Sequence, residues 1–237
     1  MHAGVMEDGV LTHPETGVPQ GGVISPMLAN VFLHRVLDDW FVKVVQPRIK
    51  GQCLLLRFAD DLVIGCEHEA EARTIVDVLP KRCGRYGLTM HPTKTTLMAF
   101  GKPNRHEVAS KGYGTFDFLG FTHYWAQSRQ GSWVIKRKTA GKRLRRMKKS
   151  LWQWCRDNRH TPLRVQYRIL CQKLRGHFQY YGIRGNSRML EVRYRHGEAA
   201  WRYWLSRRSQ KSAISWETLE KLRKVFPLPM PRIIHAI

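Results

Sequence analysis

Leu54-Leu55-Leu56-Arg57-Phe58-Ala59-Asp60-Asp61-Leu62-Val63-Ile64-Gly65 is the stretch from which the fold can be read outward. Two short apolar runs flank Ala59-Asp60-Asp61, a pattern that predicts two strands joined through an acidic turn. Adjacent aspartates repel one another, and apolar strands exclude water from one side, so the pair calls for a cation. Mg²⁺ suits it: the ion takes hard oxygen ligands and is usually held by one or two carboxylates plus substrate phosphates. In two-metal phosphoryl transfer, ions roughly 3.5–4 Å apart stabilise the attacking and leaving oxygens, and carboxylates on a hairpin turn can reach them. The plain alternative is a solvated acidic turn.

Upstream, Ser25 can cap a helix, and Pro26 suits its first turn. Leu28, Val31, Phe32, Val36 and Trp40 recur at three- and four-residue spacing, which predicts a helix over about residues 26–44. Residues 1–20 read as irregular, with a short hairpin. Downstream, residues 69–86 form a second amphipathic helix that Pro80 can kink and Gly87 ends. Further strands are predicted at 95–100 and 116–124. Beyond Lys138 the pattern turns helical. Leu144, Met147, Leu151 and Trp154 make one stripe, and Val165, Ile169, Leu174, Phe178 and Tyr181 repeat it. The fold class is α+β.

The chain has 237 residues with 41 Lys+Arg against 18 Asp+Glu, a formal charge of +23. Residues 1–127 hold 13 basic and 13 acidic side chains, whereas residues 128–237 hold 28 and 5, so the whole excess lies in the second segment. A field of one sign on one half points to a polyanion, and nucleic acid is the commonest. Arg and Lys alternate there with Trp152, Trp154, Tyr167, Phe178, Tyr180, Tyr181, Trp201, Tyr203 and Trp204. Phosphate contacts and base stacking on aromatic rings suit RNA, although most of these rings serve a helix core. No run approaches the roughly 20 apolar residues of a membrane span, and no signal pattern opens the chain, so a cytoplasmic protein without a membrane partner is expected. Five cysteines without a C-x-x-C pair argue against a disulfide framework or zinc site.

Gly17-Val18-Pro19-Gln20-Gly21-Gly22-Val23-Ile24-Ser25-Pro26-Met27-Leu28-Ala29-Asn30 resembles the GxPQGGxxSPxLxN block of reverse transcriptases, and Phe58-Ala59-Asp60-Asp61 resembles their YxDD box. Gly87-Leu88 with Lys94, then Phe116-Asp117-Phe118-Leu119-Gly120-Phe121, resemble the palm motifs that follow. Leu174 to Gly182 and the run from Arg202 to Arg208 look like the maturase-specific region of group II intron proteins. The chain is thus identified, by resemblance, with group II intron reverse transcriptase/maturases. The resemblance implies a partial palm over 1–127, a thumb-like basic helical segment over 128–163 and a maturase region over 164–237. It implies Asp60 and Asp61 as catalytic Mg²⁺ ligands, with Pro19, Gln20, Gly21, Phe58 and Lys94 on the nucleotide and template. Lys142, Arg143, Arg145, Arg146, Lys148, Lys149 and Arg175 are the RNA-binding candidates. The implied partners are group II intron RNA, an RNA template with a DNA primer, and deoxynucleoside triphosphates.

Two departures from the family stand out. Position 58 is Phe where the family more often has Tyr. Reverse transcriptases also use a third carboxylate on a strand several tens of residues before the PQG block, after a fingers region. With only 18 residues before Pro19, the expectation is a C-terminal portion that is polymerase-deficient alone, to be completed by an N-terminal polypeptide or a homo-oligomer. The alternative is an RNA-binding splicing cofactor with a non-catalytic palm remnant. An unrelated basic DNA-binding protein would leave the PQG and FADD blocks as coincidences.

Overall fold

The computed structural model describes residues 5–7, 10–12, 23–91, 93–103, 114–209 and 214–235. The chain divides into two compact units, Met1–Ala99 and Phe100–Ile237.

In the first unit, β1 (Val5–Glu7) and β2 (Val10–Thr12) form the short antiparallel hairpin expected near the N-terminus. Helix α1 (Ser25–Leu33) carries Pro26 in its first turn. Ser25 is its first residue rather than its cap, because the amides of Met27 and Leu28 already bond the Ile24 carbonyl. The helical run continues through π-helical turns at His34–Asp38 and Phe41–Val45 to a 3-10 turn at Gln46–Arg48. A π turn holds more residues than an α turn, so the buried face becomes Val36, Leu37, Trp40, Phe41 and Val45. Leu28, Val31 and Phe32, expected on that face, are exposed.

β3 (Cys53–Phe58) and β4 (Asp61–Cys66) pair antiparallel from Cys53↔Cys66 to Phe58↔Asp61, which leaves Ala59-Asp60 as a two-residue turn. Alternation turns Leu55, Leu62 and Ile64 into the core with Val36 and Phe41, and leaves Leu54, Leu56 and Phe58 exposed. Helix α2 (Glu69–Gly84) runs through Pro80 and adds Ile75, Leu79 and Cys83 to this core. Gly87 follows at φ +70°.

The second unit begins with three antiparallel strands, β5 (Phe116–Phe118), β6 (Phe121–Gln127) and β7 (Trp133–Thr139), in that order. The predicted strand over 116–124 is therefore a hairpin, turned at Leu119 (φ +50°) and Gly120 (φ +79°). The predicted strand over 95–100 does not form. The Phe100 carbonyl accepts from the Trp125 indole (3.2 Å) rather than from a neighbouring strand. The segment over 128–163, expected to be helical, opens with β7, where Val134 and Ile135 favour extended backbone and the full length pairs with β6.

Four helices follow: α3 (Gly141–Asp157), α4 (Leu163–Tyr181), α5 (Ser187–Leu205) and α6 (Trp216–Val225). Leu151, Leu170, Leu174, Phe178, Trp201 and Leu205 are the centre of their core. Phe121 stacks on Tyr180 and tilts against Tyr181, so the sheet folds with the helices. Asn186, fully buried, takes a hydrogen bond from the Thr139 amide and donates to the Thr139 hydroxyl and the Tyr181 carbonyl, tying the end of β7 to the α4–α5 connection. The Pro-rich end is anchored: the amides of Ile234 and His235 bond the Gly182 carbonyl, and Leu228 is buried. Among the described residues no helix is long and apolar enough to cross a membrane. All five cysteines are free, with Cys83, Cys155 and Cys171 buried.

Candidate active site and basic helices

Arg57 organises the acidic hairpin. It interrupts an otherwise apolar strand on the inward-facing side, where a guanidinium needs partners. Its Nε and Nη2 donate to the two carboxylate oxygens of Asp38 at 2.8 and 2.7 Å. Its Nη1 donates to Asn30 Oδ1 and to the Ala59 carbonyl, both at 3.0 Å. One side chain thus joins the last residue of the SPMLAN segment, the π-helical turn and the backbone of the acidic turn. The Asp38 carboxyl is held below the usual carboxylate range, chiefly by the Arg57 hydrogen bonds, with His34 adding to the effect against the cost of burial. Arg57 is held up by the same carboxylate.

The turn itself is unusual. Ala59 has φ +52°, the left-handed region that a primed hairpin turn normally gives to glycine. Such strain at a non-glycine residue persists only where the surroundings hold it, and the Arg57 hydrogen bond to the Ala59 carbonyl is such a constraint. Asp60 sits in the turn and Asp61 opens β4, both exposed, with Phe58 directly opposite Asp61 and 64% exposed. The pair therefore stands in water rather than against a desolvated wall. Among the described residues, no group of three His, Cys, Asp or Glu side chains is placed to hold a metal. What the hairpin offers is two adjacent hard-oxygen donors beside an exposed ring, a donor set that fits a largely hydrated Mg²⁺.

The remaining candidates fall elsewhere. Lys94 lies in a turn with its amide bonded to the His91 carbonyl, and among the described residues no ion pair joins it to Asp60 or Asp61. Pro19, Gln20 and Gly21 lie outside the described residues. Lys142, Arg143, Arg145, Arg146 and Lys149 are exposed on α3 and Lys148 is half-buried, while Arg175 is exposed on α4. The predicted stripe of α3 packs inward, and the polar faces carry its cations. Of the interleaved aromatic residues, Phe178, Tyr181 and Trp201 are buried, and Trp152, Trp154, Tyr167 and Trp204 pack against the core. Tyr180 and Tyr203 are exposed, the latter under the Arg207 guanidinium at 3.5 Å.

Sequence reasoning missed Arg57, Asp38 and the backbone strain at Ala59. The signal for the first was a lone arginine within Leu54-Leu55-Leu56-Arg57-Phe58. Its partner could not be chosen, because π-helical turns shift the helix face.

Comparison with curated proteins gives no match. Residues 10–123 match the family model described as reverse transcriptase (RNA-dependent DNA polymerase), a stretch that contains Asn30, Arg57 and the Asp60-Asp61 hairpin. The match supports a reverse transcriptase domain in this part of the chain.

Proposed function

We propose that the Asp60-Asp61 hairpin belongs to the nucleotidyl-transfer site of a group II intron reverse transcriptase/maturase, and that the basic helical unit binds intron RNA. The observation that carries this reading is the paired, exposed carboxylates at the tip of a hairpin that Arg57 fixes to Asn30, inside the matched stretch. Mg²⁺ held by Asp60 and Asp61 would supply charge stabilisation at the reacting phosphate. The chain's own residues supply the rest. Arg57 and Asp38 hold the turn in position, and Phe58 offers an apolar face beside Asp61 to a primer terminus. Pro19, Gln20, Gly21 and Lys94 would act on template and triphosphate. An RNA template, a DNA primer and deoxynucleoside triphosphates are the substrates under this reading.

The second unit carries 31 basic and 7 acidic residues, and its exposed cations on α3 and α4 suit phosphate backbones. A second reading, a splicing cofactor whose hairpin is only scaffold, is favoured by the exposure of Asp60 and Asp61.

Two measurements separate the readings. Mn²⁺, used as a paramagnetic probe, should broaden the amides of residues 58–62, and Asp60→Asn or Asp61→Asn should remove that broadening. When the chain is fused behind fingers and a first palm strand from a reverse transcriptase, the fusion should extend a DNA primer on RNA. Either Asp→Asn change should abolish extension without weakening RNA binding. Broadening and extension that survive both substitutions would leave the hairpin as scaffold.

A further inference from the structure

The helical unit contains a cation that no group among the described residues neutralises. Arg193 of α5 is 5% exposed, and its Nε and Nη1 reach no hydrogen-bond partner among those residues. A buried guanidinium without a counter-ion is destabilising, because its lost hydration is not replaced. Burial pushes it down only to about 10, so it stays charged at neutral pH. The ionisable neighbour Cys155 cannot serve as its counter-ion, because burial pushes that thiol up to about 12.

Arg193 lines an open cleft of about 440 Å³ between α3, α4 and α5. Five more polar side chains line it: Arg146 and Ser150 from α3, and Lys173, His177 and Tyr181 from α4. Among the described residues no carboxylate lines it. His177 is 6% exposed, with Nδ1 against Met147 Sδ at 3.1 Å and Nε2 without a partner among the described residues. Two unsatisfied buried groups therefore share one concave site with two further cations and two hydroxyl-bearing side chains.

We propose that this cleft is a binding site for a phosphate group, with Arg193 as its buried anchor and Arg146, Lys173 and Ser150 as its mouth. A tetrahedral oxyanion has enough acceptor sites for all of these donors at once, and three cations match its charge better than a lone carboxylate would. The site rests on the nucleic-acid reading above only for the source of the phosphate, which is either an RNA backbone or a small phosphorylated molecule.

The full chain should be titrated with inorganic phosphate at constant ionic strength, with chloride as control, while thermal unfolding of the helical unit is followed. Wild type should show a saturable rise in Tm. Arg193→Met should keep or raise the Tm in phosphate-free buffer, since a buried unpaired charge is gone, and should lose the rise. Lys173→Ala, at an exposed position where the ammonium lies over the Trp154 ring at 5.5 Å, should raise the half-saturating phosphate concentration several-fold. No rise beyond chloride, or an equal rise in all three proteins, would overturn the proposal.

A single-stranded RNA arm identifies the source. Competition between RNA and phosphate, with RNA binding weakened in Lys173→Ala, assigns the group to an RNA backbone. Unchanged RNA binding beside a lost phosphate response assigns it to a small phosphorylated ligand. If the chain binds no RNA at all, the nucleic-acid reading fails, and the phosphate titration still decides for or against the cleft by itself.

Discussion

Asp38→Ala should release the acidic hairpin from the helix beneath it. The substitution removes the acceptor for two Arg57 hydrogen bonds of 2.8 and 2.7 Å and leaves a guanidinium side chain only 12% exposed beside an apolar core. Breaking a fully buried ion pair by deleting one partner costs about 3–5 kcal/mol. Here the Asp38 side chain is 28% exposed and water can reach part of the gap, so the expected loss is about 2–3 kcal/mol. Arg57→Met removes the charge together with its bonds to Asn30 and Ala59, and should cost less, about 1–2 kcal/mol. The double variant should be more stable than Asp38→Ala alone, because no buried charge remains unpaired. Two compact units make global melting a poor assay. Amide exchange of residues 55–64 reads opening of the hairpin directly. The pH dependence has a definite sign. The Asp38 carboxyl is lowered in the fold, so its stabilisation is complete above the ordinary value of 3.8 and is lost as pH falls through the folded value. Wild type and Asp38→Ala should therefore differ at pH 7 and converge in strong acid. Equal hairpin exchange in both proteins at pH 7, within about 0.5 kcal/mol, would refute the role assigned to this pair.

Ala59→Gly should stabilise the hairpin by up to about 1 kcal/mol, since a left-handed alanine costs roughly 1–2 and glycine returns part of that as chain entropy; slower amide exchange in β3 and β4 measures it. Gln166→Leu should destabilise the helical unit by about 2–4 kcal/mol, because Gln166 donates to the carbonyls of Asn158, Arg159 and Thr161 and accepts from the buried Trp201 indole; thermal unfolding checks it. His177 is pushed down to about 4 by burial and then by Arg193, so the unfolded chain takes up its proton first as pH falls from 6.5. The helical unit should lose roughly 3 kcal/mol between pH 6.5 and 4 from this group, and a stability series in His177→Phe should lack that part of the slope. Arg143→Ala, Arg145→Ala and Arg146→Ala combined should flatten the salt dependence of RNA binding by about two to three units of slope, and equal slopes in a salt series would return the α3 cations to a solvated surface.

Where a single periodicity governed an element, the chain was legible. The helix Glu69–Gly84 and the apolar stripes of α3 and α4 follow from three- and four-residue spacing. The acidic hairpin follows from two apolar runs about a short turn. Legibility failed where a residue's environment is set from far along the chain. Phe100 looks like the end of a strand, yet its carbonyl is taken by an indole 25 residues later. Lys136, Arg137 and Lys138 look like the start of a basic helix, yet β6 offers a complete register to Trp133–Thr139, and Asn186 pins the last residue from 47 positions away.

The site divides in the same way, with a consequence for its chemistry. Asp60 and Asp61 were visible because they close the Phe58-Ala59-Asp60-Asp61 block that follows the Gly17–Asn30 block at the order and spacing of the family they resemble. Their support was not visible, because α-helical spacing groups Val36 with Trp40 and says nothing of Asp38. The π turns at His34–Asp38 and Phe41–Val45 bring Leu37 and Phe41 to the buried face beside Val36 and Trp40, with Asp38 at its edge, within reach of Arg57. Such turns are commonly kept where a site needs a particular presentation. Here the gain is physical. The same run that buries the core also supplies the carboxylate that holds Arg57, and Arg57 in turn holds the Ala59 carbonyl in a backbone conformation that alanine does not choose by itself. The exposed aspartates thus stand on a rigid, slightly strained turn rather than on a mobile loop, as a pair of donors must if an ion is to be held in one position while a phosphate reacts.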